Sequence, residues 1–213
     1  MPLEFIANSP PDKTLQALNT AGAELIDMSI PDLDHYKTAS SAYVLRSKAD
    51  INAFCASRPE LSHIKLEDLH AAGAYHKALD LIDAIVKGPT DYLKNPHYTE
   101  AMLVQAKFQR VVASVFARWQ LDAVVYPTCQ VLPPKTEDVL SGRWTCLDFP
   151  TNTIIGSQLL FPAVSVPAGK TRDLEEDPNG PELPVGLEIL SLPLREESLM
   201  SVAAGIEAMV KAA

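Results

Sequence analysis

The sequence has no cluster of lysines and arginines, and its formal net charge is −9 at pH 7. Proteins that bind nucleic acid through its phosphate backbone need such clusters to displace counterions. Long apolar stretches are also absent, because no run approaches the ~18 residues that a membrane-spanning helix requires. We therefore predict that neither nucleic acid nor a membrane is among the partners of this chain.

Cysteines are few, and none of the three (Cys55, Cys129 and Cys146) forms a Cys-x-x-Cys pair. An odd number leaves at least one thiol unpaired in any disulfide scheme, which favours reduced cysteines. The first six residues also lack the basic start and apolar core of a secretory signal peptide. Together these two absences predict a cytoplasmic protein.

The composition that remains is that of an ordinary globular protein, with 47% hydrophobic and 21% charged residues over 213 positions. Three short apolar runs, at residues 122–126, 162–168 and 183–190, are rich in valine, isoleucine or tyrosine and are bounded by turn-forming residues. Such runs are typical of strands, and the long helical patterns at 91–120 and 195–211 flank them.

The pattern predicts one α/β domain over residues 1–213, with a mixed sheet flanked by helices. Residues 1–120 are expected to form a mainly helical layer with one early strand at 23–28, and residues 121–213 to hold the core strands and a closing helix. We expect a continuous helix over 35–56 and a short helix near 152–160.

Three strings in the second half carry a resemblance to a known family. They are Asp122-Ala-Val-Val-Tyr-Pro-Thr128, Phe161-Pro-Ala-Val-Ser-Val-Pro-Ala-Gly169 and Pro184-Val-Gly-Leu-Glu-Ile-Leu190. In this order and spacing, and with the closing helix, they resemble the C-terminal half of the amidase signature family. The resemblance implies that the sheet is the last part of the amidase sheet.

The chemistry of the resembled family uses a lysine and two serines, one of them the nucleophile in a Gly-Ser-rich loop. No Gly-Gly-Ser-Ser-Gly-Gly-like loop occurs in this sequence, so no residue is assigned to the Ser-Ser-Lys triad. Leu160 stands where a glycine usually precedes the Pro-Ala strand, and Ser191-Leu192 replaces the usual Gly-Arg. These departures imply that the floor of the family's pocket has a different shape here.

Tyr126 and Thr128 lie just past the end of a predicted strand, where ligands of α/β sheets commonly bind. The resemblance implies that this neighbourhood lines an acyl pocket, and we predict that Tyr126, Thr128 and the nearby Asn152 bind a substrate. The alternative is a simple turn, in which Pro127 ends the strand and the threonine forms local hydrogen bonds.

Glu188 and Cys129 are the candidates for catalytic groups. Glu188 is the one carboxylate in an apolar strand, where a charge must be paired or neutralised and a raised pKa would suit a general acid or base. The alternative, which we favour, is a structural residue that points outward. Cys129 would need a base to form a thiolate, and no histidine is adjacent in sequence, so an inert buried thiol is favoured.

Neither a metal nor an organic cofactor is expected. His70 and His76 are not at the i, i+4 spacing of a helical zinc site, and no third ligand accompanies them. Gly169-Lys170-Thr171 resembles the end of a phosphate-binding loop, but Val164 occupies the position of the required first glycine.

Three functions are compatible with these observations. We favour a truncated amidase homologue, repurposed as a small-molecule biosynthetic enzyme that uses acid–base chemistry. The alternatives are one half of a split amide hydrolase and a non-catalytic binding or scaffold module. Because half a sheet exposes an edge and an apolar face, we also predict a homodimer or a complementary amidase-like partner chain.

Overall fold

The computed structural model describes residues 10–145, 149–173 and 177–212. The chain forms two compact units, and the prediction of a single domain stays a prediction. Unit 1 consists of Met1–Lys37, Lys107–Pro133 and Pro150–Ala213, and unit 2 of Thr38–Ala106 and Pro134–Phe149. In chain order the elements are α1 (Pro10–Thr20), α2 (Leu33–Ala39), α3 (Tyr43–Ala56), α4 (Leu66–Ala71), α5 (Ile82–Lys87), a 3₁₀ turn (Tyr92–Lys94), α6 (Pro96–Trp119), β1 (Val124–Pro127), α7 (Thr136–Leu140), α8 (Ile154–Leu159), β2 (Ala163–Thr171), β3 (Leu183–Leu190) and α9 (Glu196–Ala212).

The described strands of unit 1 form one sheet in the order β1-β3-β2. The predicted α/β class, with helices flanking a sheet, is confirmed. Both strand pairs are antiparallel, so the described part of the sheet contains no parallel pair of the kind that a mixed sheet would include. The connection between β2 and β3 is too short for the crossover that parallel strands need, which explains their antiparallel pairing.

One face of this sheet is covered by helix α9. Leu187 and Ile189 of β3 are fully buried on this face, beside Val166 of β2. Leu199, Ala203 and Ile206 lie on one side of α9 because they recur at helical spacing, and they complete the apolar cluster. Burial of each large aliphatic side chain in such a cluster stabilises the fold by ~1.5–3 kcal/mol.

Helices α1 and α6 contribute further packing in unit 1. The hydroxyl of Thr14 in α1 donates to the carbonyl oxygen of Ala168 in β2 at 3.3 Å. Tyr36 stacks on Phe108 of α6 with 5.0 Å between ring centroids and 4° between ring planes. Both rings are buried, so this pair anchors the part of α2 that belongs to unit 1.

Unit 2 is held together by polar bonds between helices. Asn52 of α3 accepts a hydrogen bond from the backbone N–H of Leu66 at 2.9 Å and donates to the carboxylate of Glu67 at 2.8 Å. The asparagine thus satisfies the start of α4 from a neighbouring helix. The ammonium of Lys48 donates to the carbonyl oxygen of Val86 at 3.1 Å, which links α3 to α5.

Two predicted elements differ from the structure. The early strand at 23–28 is wrong, because these residues pair with no described strand and Leu25 is 43% exposed. An apolar run becomes a strand only where a ladder partner exists. The predicted helix over 35–56 is interrupted between α2 and α3, at Ser40-Ser41, because serine side chains favour turns over helix interiors.

The strand boundaries are closer to prediction. The predicted strand at 183–190 coincides with β3, the strand at 162–168 extends to Thr171, and the short helix near 152–160 is α8. Among the helices of the described ranges, none combines the length and apolarity needed to cross a bilayer.

Candidate functional site

A cleft of about 450 Å³ opens in unit 1 between α8 and β2, on the sheet face opposite α9. One wall consists of α8 and the residues that follow it, and the other is the outer face of β2. Glu188 of β3 lies at the bottom. The residues used below are Gly156, Ser157, Leu160, Ala163, Ser165 and Glu188. We call this space the α8–β2 cleft.

The antiparallel register places three polar side chains in one row across the sheet. Tyr126 of β1 lies opposite Glu188, and Glu188 lies opposite Ser165 of β2. The phenol O–H of Tyr126 donates to Oε1 of Glu188 at 2.9 Å. The hydroxyl of Ser165 donates to Oε2 at 3.4 Å. Both oxygens of the carboxyl group therefore accept a hydrogen bond from a neighbouring strand.

Burial dominates the electrostatics of this row. Glu188 is only 3% exposed, and burial raises the pKa of its carboxyl group, although the hydrogen bonds from Tyr126 and Ser165 act to lower it. Tyr126 is fully buried, and burial together with the adjacent carboxylate raises the pKa of its phenol. The alternative that Glu188 points outward is wrong, because strand alternation left both faces open and α8 covers the second one.

No lysine or arginine in the described part of unit 1 pairs with Glu188. The interactions that set its pKa are burial and two hydroxyl donors. A buried carboxylate without a cation is energetically expensive, so its protonated form is favoured to a higher pH than in water. The site is thus suited to hold a proton or to bind a positively charged group.

Thr128 joins the row through Ser165. Its hydroxyl donates to the Ser165 oxygen at 3.2 Å, and its backbone N–H donates to the carbonyl oxygen of Gly186 at 3.0 Å. A β-carbon at position 186 would lie 2.7 Å from Oγ1 of Thr128, so only glycine allows this close approach. The result is a chain of hydroxyls that leads from Thr128 through Ser165 to the carboxyl group of Glu188.

Asn152 lies in the turn structure after β1. Its side-chain N–H donates to the carbonyl oxygen of Pro127 at 2.8 Å, and its Oδ1 accepts from the amide of Gln130 at 3.0 Å. Its backbone N–H also donates to the carbonyl oxygen of Thr128 at 2.9 Å, and the residue is 3% exposed. These contacts hold two chain segments together, whereas the predicted substrate contact of Asn152 stays a prediction.

Cys129 is half-buried and lies beside a hydroxyl group. Its Sγ is 3.9 Å from Oγ1 of Thr151, and the two residues form an isolated antiparallel bridge. Threonine cannot serve as the base that a thiol nucleophile needs. Cys55 is buried, and Cys146 lies outside the described residues. A nucleophilic role for Cys129 therefore finds no support in its surroundings.

Histidines and carboxylates do not gather into a metal site in the ranges that the structure describes, where no group of three or more possible ligands occurs. His70 pairs with Asp83, with 2.6 Å between Nε2 and the carboxylate oxygen, and stacks on Tyr75. His76 accepts a hydrogen bond from the backbone N–H of Ala78.

Sequence reasoning missed Ser165 and Gly156. Ser165 is the polar residue between two valines of β2, and its place opposite Glu188 follows once the two strands are aligned. Gly156 lies against the sheet, because a β-carbon there would be 3.0 Å from that of Ala163 and 3.8 Å from Oε1 of Glu188. Only the packing of α8 on the sheet shows its role.

The model of the family described as Amidase matches residues 10–200 of this chain. The chain belongs to the amidase family. The predicted family is thus confirmed, and this member carries the α8–β2 cleft with Glu188 at its bottom.

Curated relatives of this amidase-family chain include the same subunit of glutamyl-tRNA(Gln) amidotransferase from several organisms. The subunit from Koribacter versatilis is 27% identical over 210 residues, which cover 92% of this chain and 40% of that protein. Its counterpart from Halobacterium salinarum is 32% identical over 111 residues, which cover 52% of this chain and 24% of that protein. The chain therefore spans about 40% of the length of the first of these relatives.

Two solved structures share the fold. An amidase family protein from Bacillus anthracis matches with a TM-score of 0.69 and 16% identity, over 98% of this chain and 38% of that one. Allophanate hydrolase from Kluyveromyces lactis matches with a TM-score of 0.56 and 19% identity, over 97% of this chain and 31% of that one. The architecture of this amidase-family chain is thus the one found in part of much longer proteins.

Proposed function

We propose that this chain forms the substrate-side wall of an amide-cleaving site, and that the nucleophile comes from residues outside these 213 positions or from a complementary chain. The observation that carries the proposal is the buried carboxyl group of Glu188 at the bottom of an open cleft. Membership of the amidase family and the absence of a Gly-Ser-rich loop from this sequence support it.

In this function Glu188 binds and protonates. A carboxyl group with a raised pKa holds a proton closer to neutral pH and gives it to a leaving amine, or accepts an N–H of a bound amide in its ionised form. Tyr126 fixes the orientation of the carboxyl group through its 2.9 Å hydrogen bond. The hydroxyls of Ser165 and Thr128 connect the carboxyl group to the neighbouring turn.

A second candidate is an enzyme that needs no nucleophile, such as an isomerase or dehydratase of small-molecule biosynthesis. The observation in its favour is again Glu188, because one well-placed acid or base accelerates a proton-transfer step roughly 10²–10⁴-fold. Such an enzyme would act with this chain alone. The first candidate is preferred because it uses the family's chemistry and requires no change of reaction.

Ligand binding and amide hydrolysis separate the candidates. The purified chain is titrated with propionamide and benzamide while its ¹H–¹⁵N NMR spectrum is recorded, and release of ammonia is measured in the same samples. We expect shifts of the backbone signals of Gly156, Ser157 and Ser165 without hydrolysis. Glu188→Gln should weaken binding, whereas Glu197→Gln, an equal change on the exposed start of α9, should not.

Hydrolysis is then tested after adding a polypeptide that carries a Gly-Gly-Ser-Ser-Gly-Gly loop, taken from the uncovered part of the Bacillus anthracis amidase family protein. We expect ammonia release only in the mixture. Hydrolysis by this chain alone would contradict the proposal, and so would the absence of any amide-induced shift in the cleft.

The predicted homodimer and cytoplasmic location stay predictions. Size-exclusion chromatography with light scattering tests the first. A monomer at micromolar concentration that becomes a heterodimer with the complementary chain would favour the split enzyme over self-association.

A further inference from the structure

The α8–β2 cleft has an acceptor without a matching charge. In the described part of unit 1, the partners of the Glu188 carboxyl group are two hydroxyls, and no cationic side chain approaches it. Ionised carboxylates that are removed from water normally have a cationic partner. The geometry leaves the place of that partner to a ligand.

The unused hydrogen-bonding capacity of Glu188 is directed into this cleft. A carboxylate offers about four lone-pair sites on its two oxygens, and Tyr126 and Ser165 occupy one on each oxygen. Space beside Oε1 is kept open by Gly156, because a β-carbon at that position would already lie 3.8 Å from this oxygen. A ligand nitrogen can therefore reach the carboxylate without displacing Tyr126 or Ser165.

The walls above the carboxyl group are mainly apolar. Leu160, Phe161, Ala163 and Val164 line the cleft, and Leu160 is 68% exposed. A volume of about 450 Å³ is in the range of small-molecule sites. Apolar walls over a single anionic floor suit a compact ligand with an apolar body and one positively charged nitrogen group.

We propose that the α8–β2 cleft selects substrates that carry an ammonium or amidinium group, which binds Glu188, over neutral substrates of the same shape. This inference deepens the proposed function, since it requires that the cleft binds a small molecule. An amidinium matches the carboxylate best, because its two parallel N–H groups fit the two oxygens.

The preference depends on pH in a defined direction. Burial raises the pKa of Glu188, and the cation binds the ionised form, so affinity increases as the pH rises through this pKa. The elements packed around the carboxyl group contribute few other titrating groups: β1 contributes Tyr126, β2 contributes the Ser165 hydroxyl, and α8 contains no titratable side chain. Tyr126 stays protonated because its own pKa is raised.

Benzamidine and benzamide provide a matched pair of probes, one cationic and one neutral. Isothermal titration calorimetry with the full chain, from about pH 5 to about pH 9, should show benzamidine binding at least ~10-fold more tightly than benzamide at the upper end. Glu188→Gln should abolish the difference between the probes. Glu197→Gln should preserve it, since this exposed glutamate lies outside the cleft.

A second variant leaves Glu188 in place. Ser157 is exposed on α8 and lines the cleft, so Ser157→Lys supplies a cation of the chain's own to the carboxylate. Benzamidine affinity should fall at least ~10-fold in this variant. Its readout does not require that Glu188→Gln folds, and NMR spectra of both variants confirm their folding.

The outcomes separate this inference from the proposed function. Equal binding of the two probes to the wild-type chain overturns the cation preference but leaves the cleft as a small-molecule site. A preference for benzamidine that survives both Glu188→Gln and Ser157→Lys places the cation elsewhere and overturns the inference. Binding of neither probe refutes both the inference and the proposed function.

Discussion

Replacing Tyr126 with phenylalanine removes one hydroxyl group from a fully buried ring and leaves Oε1 of Glu188 without its 2.9 Å donor. The ring itself stays, so packing changes little. A hydrogen bond to an ionised group contributes about 1.5–3 kcal/mol and one between neutral groups about 0.5–1.5 kcal/mol. We therefore expect Tyr126→Phe to reduce the free energy of unfolding by ~2 kcal/mol where Glu188 is ionised and by ~1 kcal/mol where it is protonated.

The sign of the pH dependence follows from the pKa of Glu188. Because this pKa is raised in the folded chain above the ordinary value of 4.5, the folded state binds the proton more tightly than the unfolded state. Stability from this group is complete below pH 4.5 and is lost as the pH rises through the raised pKa. Tyr126→Phe removes a hydrogen bond that lowers the pKa, so the decline should become steeper.

Urea unfolding followed by circular dichroism, from about pH 5 to about pH 9, measures this effect in the wild type, Tyr126→Phe, Glu188→Gln and the double variant. Glu188→Gln should remove most of the pH dependence that the tyrosine modulates. Tyr43→Phe is the control, because Tyr43 is 59% exposed and its loss should change little. A cost of Tyr126→Phe that is the same at every pH, with or without Glu188, would refute the coupling of the two side chains.

Three further predictions concern packing and ionisation in unit 1. Gly186→Ala should destabilise the chain by ~1–3 kcal/mol, because its methyl group would lie 2.7 Å from Oγ1 of Thr128; Gly205→Ala in α9, where no atom lies within 4 Å, should be neutral or stabilising by up to ~1 kcal/mol in urea unfolding. Ultraviolet absorbance should show the same tyrosine ionisation up to about pH 11 in Tyr126→Phe as in the wild type, because burial keeps Tyr126 protonated, and a missing early signal would contradict its raised pKa. Ile189→Ala should cost ~2–5 kcal/mol in the same unfolding assay, since this fully buried side chain fills the cluster under α9, and a cost below ~1 kcal/mol would show that the cluster is loosely packed.

The strands and the closing helix could be predicted because their sequence patterns are local. The run at 183–190 alternates strongly enough at its end, and is bounded clearly enough by Pro184 and Leu192-Pro193, to give β3 its observed limits. The early strand at 23–28 could not be judged in this way. Its composition suits a strand, but strand formation depends on a partner elsewhere in the chain, which local sequence does not reveal.

The candidate site was only partly predictable for the same reason. The resemblance and the strand ends pointed to Tyr126 and Thr128, and both lie in the polar network around Glu188. Whether Glu188 faces water or protein depends on α8, whose packing against the sheet is a tertiary contact. Asn152 shows the converse, since a polar residue beside a predicted site holds the backbone of Pro127 through a 2.8 Å hydrogen bond.

Strand β3 supplies the apolar cluster and the cleft with alternate residues of the same short segment. Leu187 and Ile189 enter the cluster under α9, and Glu188 between them enters the cleft. Inserting or deleting one residue would exchange the two faces, so that the carboxyl group would point into the apolar cluster and an aliphatic side chain into the binding space. Length changes in this segment are therefore intolerable, and any evolutionary adjustment of ligand preference has to proceed by substitution at fixed strand length.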